Sequence, residues 1–250
     1  GKYTDHIDSY KSIQESLIHG GIANDVKADI HWLSSEVFDN GEGVEKLKEY
    51  DGLLIPGGFG PRGVEGMLET IRWARENQMP FFGICLGLQC AVIEFARNVC
   101  GLEESHSSEF AEASSDPVIC LLDSQLQVTT MGGTMRLGAY PCALGEGTKA
   151  REIYGVDEIS ERHRHRFEVN NEYRDLLTDN GMTISGTSPD GGLVEMIELT
   201  EHPWFVAGQF HPELKSRPTR PHPLFASFVG AAAAYARNQP AKPAAEPASV

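Results

Sequence analysis

Phe81-Phe82-Gly83-Ile84-Cys85-Leu86-Gly87-Leu88-Gln89 is the stretch from which the fold is read. An apolar run ends abruptly in Gly-x-Cys-x-Gly, and a helix-compatible segment, Leu88 to Asn98, follows at once. That is the pattern of a nucleophile elbow. The reactive side chain sits on a strained strand-to-helix turn, and glycine stands on both sides where a β-carbon would clash. The Cys85 sulfur is expected at the edge of a sheet with a helix N-terminus behind it. Alone, the pattern also fits a buried cysteine in an ordinary strand-to-helix turn, so its reading rests on what the other segments add.

Two segments add to it. Asp51-Gly52-Leu53-Leu54-Ile55-Pro56-Gly57-Gly58-Phe59-Gly60 is a short apolar run broken by Pro-Gly-Gly. A buried parallel strand ends this way at the carboxyl edge, where α/β folds place their sites. Backbone N–H groups in a Gly-Gly turn can be aimed at an oxyanion without obstruction. Near the end of the chain, Phe205 to Phe210 reads as a strand running into His211-Pro212-Glu213. Residues i and i+2 of an extended chain share a face, so Glu213 is expected to orient the His211 imidazole. Cys85 as nucleophile, His211 as base and Glu213 as its orienter, with N–H donors from Gly58 and Leu86, make a set suited to acyl transfer through a thioester.

The bulk numbers narrow the class. The chain has 250 residues, 40% apolar and 23% charged, ordinary for one large globular domain. A net charge of −15 argues against a general nucleic-acid or anionic-membrane surface. No apolar run approaches a membrane span and no signal peptide opens the chain. Cys85, Cys90, Cys100, Cys120 and Cys142 include no C-x-x-C pair and no cluster with zinc spacing, so no metal site and a reducing, cytoplasmic location are expected.

The remaining segments follow an alternating pattern. Helices are expected over Asp8 to Gly20, with Thr4 or Asp5 as cap, and over Gly63 to Asn77, Tyr173 to Asn180 and Pro223 to Arg237. Ala28 to Leu33 reads as a strand, and Glu36 to Tyr50 as a loop and short helix. Val99 to Asp116 is an acidic surface loop, Pro117 to Leu122 an extended edge, and Thr129 to Gly138 a turn feeding a strand. Thr183 to Ser188 and Leu193 to Leu199 form a hairpin about Pro189-Asp190-Gly191-Gly192. Residues 1–237 make one domain, and 238–250 an Ala/Pro-rich tail with nothing to bury, expected to be disordered. A strand would normally precede Gly1, so the chain reads as cut from something longer. Within it, Glu161-Arg162-His163-Arg164-His165-Arg166-Phe167-Glu168-Val169-Asn170 is out of character with the net charge. On a strand the arginines face one way and the histidines the other, giving either a solvated face or an anion site.

The order PGG, GICLG, HPE resembles the class I (triad) glutamine amidotransferases. More narrowly, Gly1-Lys2-Tyr3-Thr4 with Asp8 to Ile13, GGFG at Gly57 to Gly60, GTMRLG at Gly133 to Gly138 and ERHRHRFEVN resemble the glutaminase domains of the CTP synthase family, over Gly1 to roughly Arg237. The resemblance implies an α/β fold with a mostly parallel central sheet flanked by helices. It implies hydrolysis of L-glutamine at Cys85, with His211 and Glu213 as partners and Gly58 and Leu86 as the oxyanion hole. Gly58, Phe59, Leu86, Gln89, Glu109 and Arg166 would hold the substrate; Glu109 and Arg166 complement the ammonium and carboxylate of free glutamine. Arg136 resembles part of the region through which GTP activates these enzymes. No cofactor is implied in this domain. A synthase domain of the same full-length chain, binding UTP, ATP and Mg2+ and assembling as a homotetramer, would precede Gly1. Other amidotransferases of the GMP synthase type and γ-glutamyl peptidases share the triad but lack the basic strand. An elbow-cysteine redox or scaffold protein would need neither His211 nor Glu213, and thioesterase-type hydrolases order their triad differently.

Overall fold

The computed structural model describes residues 1–111, 113–121 and 135–239. Its centre is β2, Phe81–Ile84, buried at every residue because both of its faces are covered by helices. To one side lies β1, Leu53–Ile55, and to the other β10, Phe205–Gly208, both parallel to β2 in register Leu53↔Phe81 and Phe205↔Phe81. The sheet continues through β9 (Val194–Leu199), β8 (Met182–Thr187), β5 (Arg136–Leu144) and β6 (Glu158–His165), each antiparallel to the last. Five of the seven strands thus point one way and only β9 and β5 the other. Within this sheet the expected parallel ladders join β1, β2 and β10, whose ends lead into the Pro-Gly-Gly turn, the elbow and the HPE segment. Beyond β10 each strand runs antiparallel to its neighbour.

Alternation along β2 divides the core. Phe81 faces a cluster shared with α2 (Val64–Glu76) and α3 (Leu86–Asn98), including Met67, Ile71, Leu88 and Val92. Phe82 faces the opposite cluster, beneath α1 (Lys11–Ala23) and α6 (Pro223–Asn238), where its ring meets Trp204 and Phe225 edge-on at 5.7 and 5.2 Å. Two short helices, α4 (Lys149–Tyr154) and α5 (Arg174–Asp179), cover the hairpin half. A second sheet joins β3 (Ser105–Ser107), inside the expected surface loop, to β4 (Asp116–Cys120), where an extended edge was expected, and to β7 (Glu168–Val169). It ties the chain around Glu109 to the chain around Arg166, two loops far apart in sequence.

Several expectations change. Ala28 to Leu33 is extended but is no strand, since no strand among the described residues lies beside it; its backbone instead meets the chain's opening, where the Gly1 amine donates to the Leu33 carbonyl at 3.0 Å. The first helix begins at Lys11 after a 3-10 turn, Ile7–Tyr10, and neither Thr4 nor Asp5 caps it. The short helix before Tyr50 is a 3-10 turn, Val44–Glu49, entered through Gly43 in the left-handed region. The tail beyond residue 239 and the turn over residues 129–134 lie outside the described residues. Among those described, no helix is long and apolar enough to cross a membrane.

The elbow depends on close backbone approach. A β-carbon on Gly87 would stand 2.3 Å from the Ile55 carbonyl oxygen, and one on Gly83 2.8 Å from both Ala207 Cβ and the Gly87 carbonyl oxygen. Gly87→Ala is therefore expected to push α3 away from β1 and cost about 1–3 kcal/mol, as overpacked cores do. Denaturant unfolding of the variant, with unchanged slope and a lower midpoint, checks this.

Candidate active site

Cys85 joins β2 to α3 with φ +53° and ψ −100°, a conformation that side chains avoid and that packing on both sides must enforce. Its N–H donates to the Gly208 carbonyl at 2.8 Å, fixing the turn to the end of β10. Leu86 is the first residue of α3, so its N–H belongs to the helix's unpaired N-terminal donors. A β-carbon on Gly57 would lie 2.9 Å from His211 Cε1 and 3.6 Å from Cys85 Cβ, so glycine at 57 leaves the cysteine and the imidazole open to each other.

His211 leaves β10 with its own N–H bonded to the Arg162 carbonyl of β6 at 2.7 Å. Its Nδ1 lies 2.7 Å from Glu213 Oε1. A carboxylate accepts, so Nδ1 carries the proton and Nε2 is left for chemistry. Glu213 reaches the ring from a 3-10 turn, Pro212–Leu214, and not from the extended backbone expected; Pro212, at the first position, starts that turn. Burial alone would lower the pKa of His211, but the Cys85 and Glu213 side chains hold the proton on the ring and raise it to about 10.

Two cavities meet at Cys85. One is lined by Gly58, Phe59, Cys85, Gln89, Glu109, His165, Arg166 and Phe167. Here a carboxylate and a guanidinium stand in one small space with the sulfur. Burial raises the Glu109 carboxyl, opposed by the N–H of Gly60, which donates to Oε1 at 3.0 Å, and by Lys2 and Arg166. Arg166 Nε is buried and without a partner. Gln89 donates to the Phe167 carbonyl at 3.0 Å. The second cavity lies on the His211 and Glu213 side, bounded by Tyr3, Gly58, Phe59 and Arg164. Leu86 lines neither cavity with its side chain, which is buried in the core.

The basic strand divides as the alternation predicts. Arg162 and Arg164 are exposed, His163 and His165 buried. Arg166, beyond the strand end, is the one of the three arginines lining the first cavity. Burial, with Arg136 beside them, lowers the pKa of His163 to about 2 and of His165 to about 3, so both rings are neutral. Arg136 does not present an open guanidinium: it bridges the buried carboxylates of Glu168 at 3.1 Å and Glu195 at 2.7 Å, and burial pushes Glu168 up to about 8.

Sequence reasoning passed over three residues that shape the site. Lys2, buried, donates from Nζ to the Phe59 and Gly60 carbonyls, and the Tyr3 hydroxyl accepts from the Phe59 N–H at 3.0 Å. Together they clamp the glycine loop from the chain's opening. Gln209, two residues before His211, contacts the Cys85 sulfur. Its place in the same segment as His-x-Glu was the available signal. Among the described residues no group of three or more His, Cys, Asp or Glu is arranged to hold a metal ion.

The raised pKa of His211 ties the site to stability. A group raised from 6.5 to about 10 on folding contributes stability that is complete below pH 6.5 and is lost as pH rises through about 10. Glu213→Gln is expected to lower the His211 pKa, read by imidazole NMR titration, and to start that loss at lower pH in unfolding measurements.

The glutamine amidotransferase class-I family matches residues 5–231. The CTP synthase of Clostridium perfringens (strain SM101 / Type A) is 59% identical over 232 residues, covering 93% of this chain and 43% of that protein. That of Ruminiclostridium cellulolyticum is 59% identical over 235 residues, covering 94% and 44%. The chain thus spans less than half the length of these curated relatives. Among solved structures, the glutaminase domain of Trypanosoma brucei CTPS, with bound acivicin, superposes with a TM-score of 0.88 at 38% identity, covering 94% of this chain and 92% of that one. With its elbow cysteine, strand-end histidine and glycine loop on this α/β sheet, the chain belongs to the class I glutamine amidotransferases, among the glutaminase domains of CTP synthases.

Proposed function

We propose that this chain hydrolyses the side-chain amide of L-glutamine, with Cys85 as nucleophile, His211 as base and acid, and Glu213 as the group that orients and charges the imidazole. The observation that carries the reading is the position of Cys85 between two cavities, one holding Glu109 and Arg166, the other His211 and Glu213. Arg166 pairs with the substrate carboxylate, Glu109 with its ammonium, and Gln89 and Phe59 bound the side chain between them. Cys85 gives its proton to His211 and the sulfur attacks the amide carbon, and the oxyanion is met by the N–H groups of Gly58 and Leu86. The C–N bond breaks as imidazolium gives its proton to the departing ammonia, leaving a thioester. Water then attacks the thioester, His211 takes its proton, and glutamate leaves as the sulfur is released.

The ammonia would serve amination of UTP to CTP by a synthase domain of the longer protein, using ATP and Mg2+, in a homotetramer and in the cytoplasm. The relatives' name, CTP synthase, and their more than twofold greater length support the formation of CTP and the presence of a further domain in that reading. GTP would act as activator. Since Arg136 is engaged by Glu168 and Glu195, its part in that response is indirect, through β7 and β9.

Acivicin, which the trypanosome domain binds, is the electrophile of choice. A single adduct on Cys85, blocked by excess L-glutamine, is expected. Burial pushes the Cys90 and Cys142 thiols up to about 12, so they compete poorly. Labelling that ignores glutamine, read by peptide mass spectrometry, would sink the assignment. Cys85→Ala should abolish ammonia release. Arg166→Ala should raise KM by ~10-fold or more with a smaller effect on kcat, the signature of a lost charged substrate contact.

A further inference from the structure

The side chain of Gln209 is wholly buried at the end of β10, two residues before His211. Its Nε2 lies 3.7 Å from Cys85 Sγ, and its Oε1 3.4 Å from Gln89 Nε2. The way this amide faces follows from its neighbours. The Phe167 carbonyl only accepts, so the Gln89 group 3.0 Å from it is the NH2. That same NH2 faces Gln209, whose nearer atom must then be its oxygen. The nitrogen of Gln209 is left pointing at the sulfur, as a donor. The Gln209 backbone is fixed too: its N–H donates to the Glu195 carbonyl at 2.8 Å, and the preceding Gly208 carbonyl accepts from the Cys85 N–H. A primary amide held in this way and excluded from solvent is a preorganised donor, set before any substrate arrives.

We propose that Gln209 is a further catalytic residue, donating an N–H to the Cys85 sulfur and holding it in line for attack on the substrate amide. The donor stabilises negative charge on sulfur when Cys85 gives up its proton, and again when the thioester is cleaved and sulfur leaves. His211 acts on the proton from the second cavity, while Gln209 holds the sulfur from below, through the chain that ends on Gln89. The nucleophile and a wall of the glutamine pocket are thereby linked by one amide. The kinetic part of this inference rests on the glutamine-hydrolase reading; the contact with sulfur does not.

The test separates the two. Alkylation of Cys85 by iodoacetamide, a small neutral electrophile, requires no glutamine and is read at fixed neutral pH by peptide mass spectrometry. Gln209→Met keeps the length and the burial and removes the donor. It is expected to slow Cys85 alkylation by ~10-fold or more, and to lower kcat for glutamine at least as much while KM moves less than ~3-fold. A merely structural role would move KM instead, through Gln89 and Phe167. Gln209→Asn, whose amide is one methylene too short to reach both partners, is expected to show the same fall and serves if the Met variant does not fold. Alkylation at the unaltered rate in a folded variant, or a raised KM with kcat held, would overturn the proposal. If the unaltered chain hydrolyses no glutamine, the reading of the pocket falls, and the alkylation rates still decide Gln209.

Discussion

Everything at this site depends on how closely α3 is drawn under β1. The Gly87 backbone lies so near the Ile55 carbonyl that no side chain fits between them. That approach holds Cys85 at positive φ with its sulfur above the sheet edge. The strain is local and its restraint is not: Phe81 and Phe82 anchor β2 into opposite cores, and the Cys85 N–H is tied to the end of β10. Since Gln209 and His211 follow directly on β10, Cys85 and the groups around it are set by one pair of neighbouring strands.

The charge arrangement follows from burial. The first cavity brings the Glu109 carboxyl and the Arg166 guanidinium into one small space, while His165 on its wall and the neighbouring His163 stay neutral because they are desolvated and face Arg136. Only His211 is driven the other way, by Glu213 on one side and Cys85 on the other. Histidines on one strand and at one strand end thus differ in charge state for reasons visible in their surroundings. Arg136 illustrates the same point: a guanidinium that the resemblance placed in a region of activation by GTP is engaged by two buried carboxyl groups inside the protein.

Local patterns carried far in this chain. Gly-x-Cys-x-Gly after an apolar run, Pro-Gly-Gly after another and His-Pro-Glu after a third each mark the carboxyl end of a strand, and those three strands are the parallel set β1, β2 and β10. The alternation of Arg162 to His165 translated directly into exposure, since period-two patterning is a property of the strand itself. Ala28 to Leu33 shows where this stops. It alternates as a strand would, yet a strand exists only if another lies beside it to exchange hydrogen bonds.

The fold class, the elbow at Cys85 and the pairing of His211 with Glu213 were legible in the sequence, because each lies within a short segment whose chemistry is local. Tertiary structure decided what depends on distance between segments. It brought Glu109 and Arg166 into one cavity through the small sheet of β3, β4 and β7, clamped the glycine loop with Lys2 and Tyr3, turned Arg136 inward and set Gln209 against the sulfur. These contacts join residues up to 124 positions apart. No spacing rule reaches that far, since such pairs are specified by the packing of whole elements and not by the chain between them.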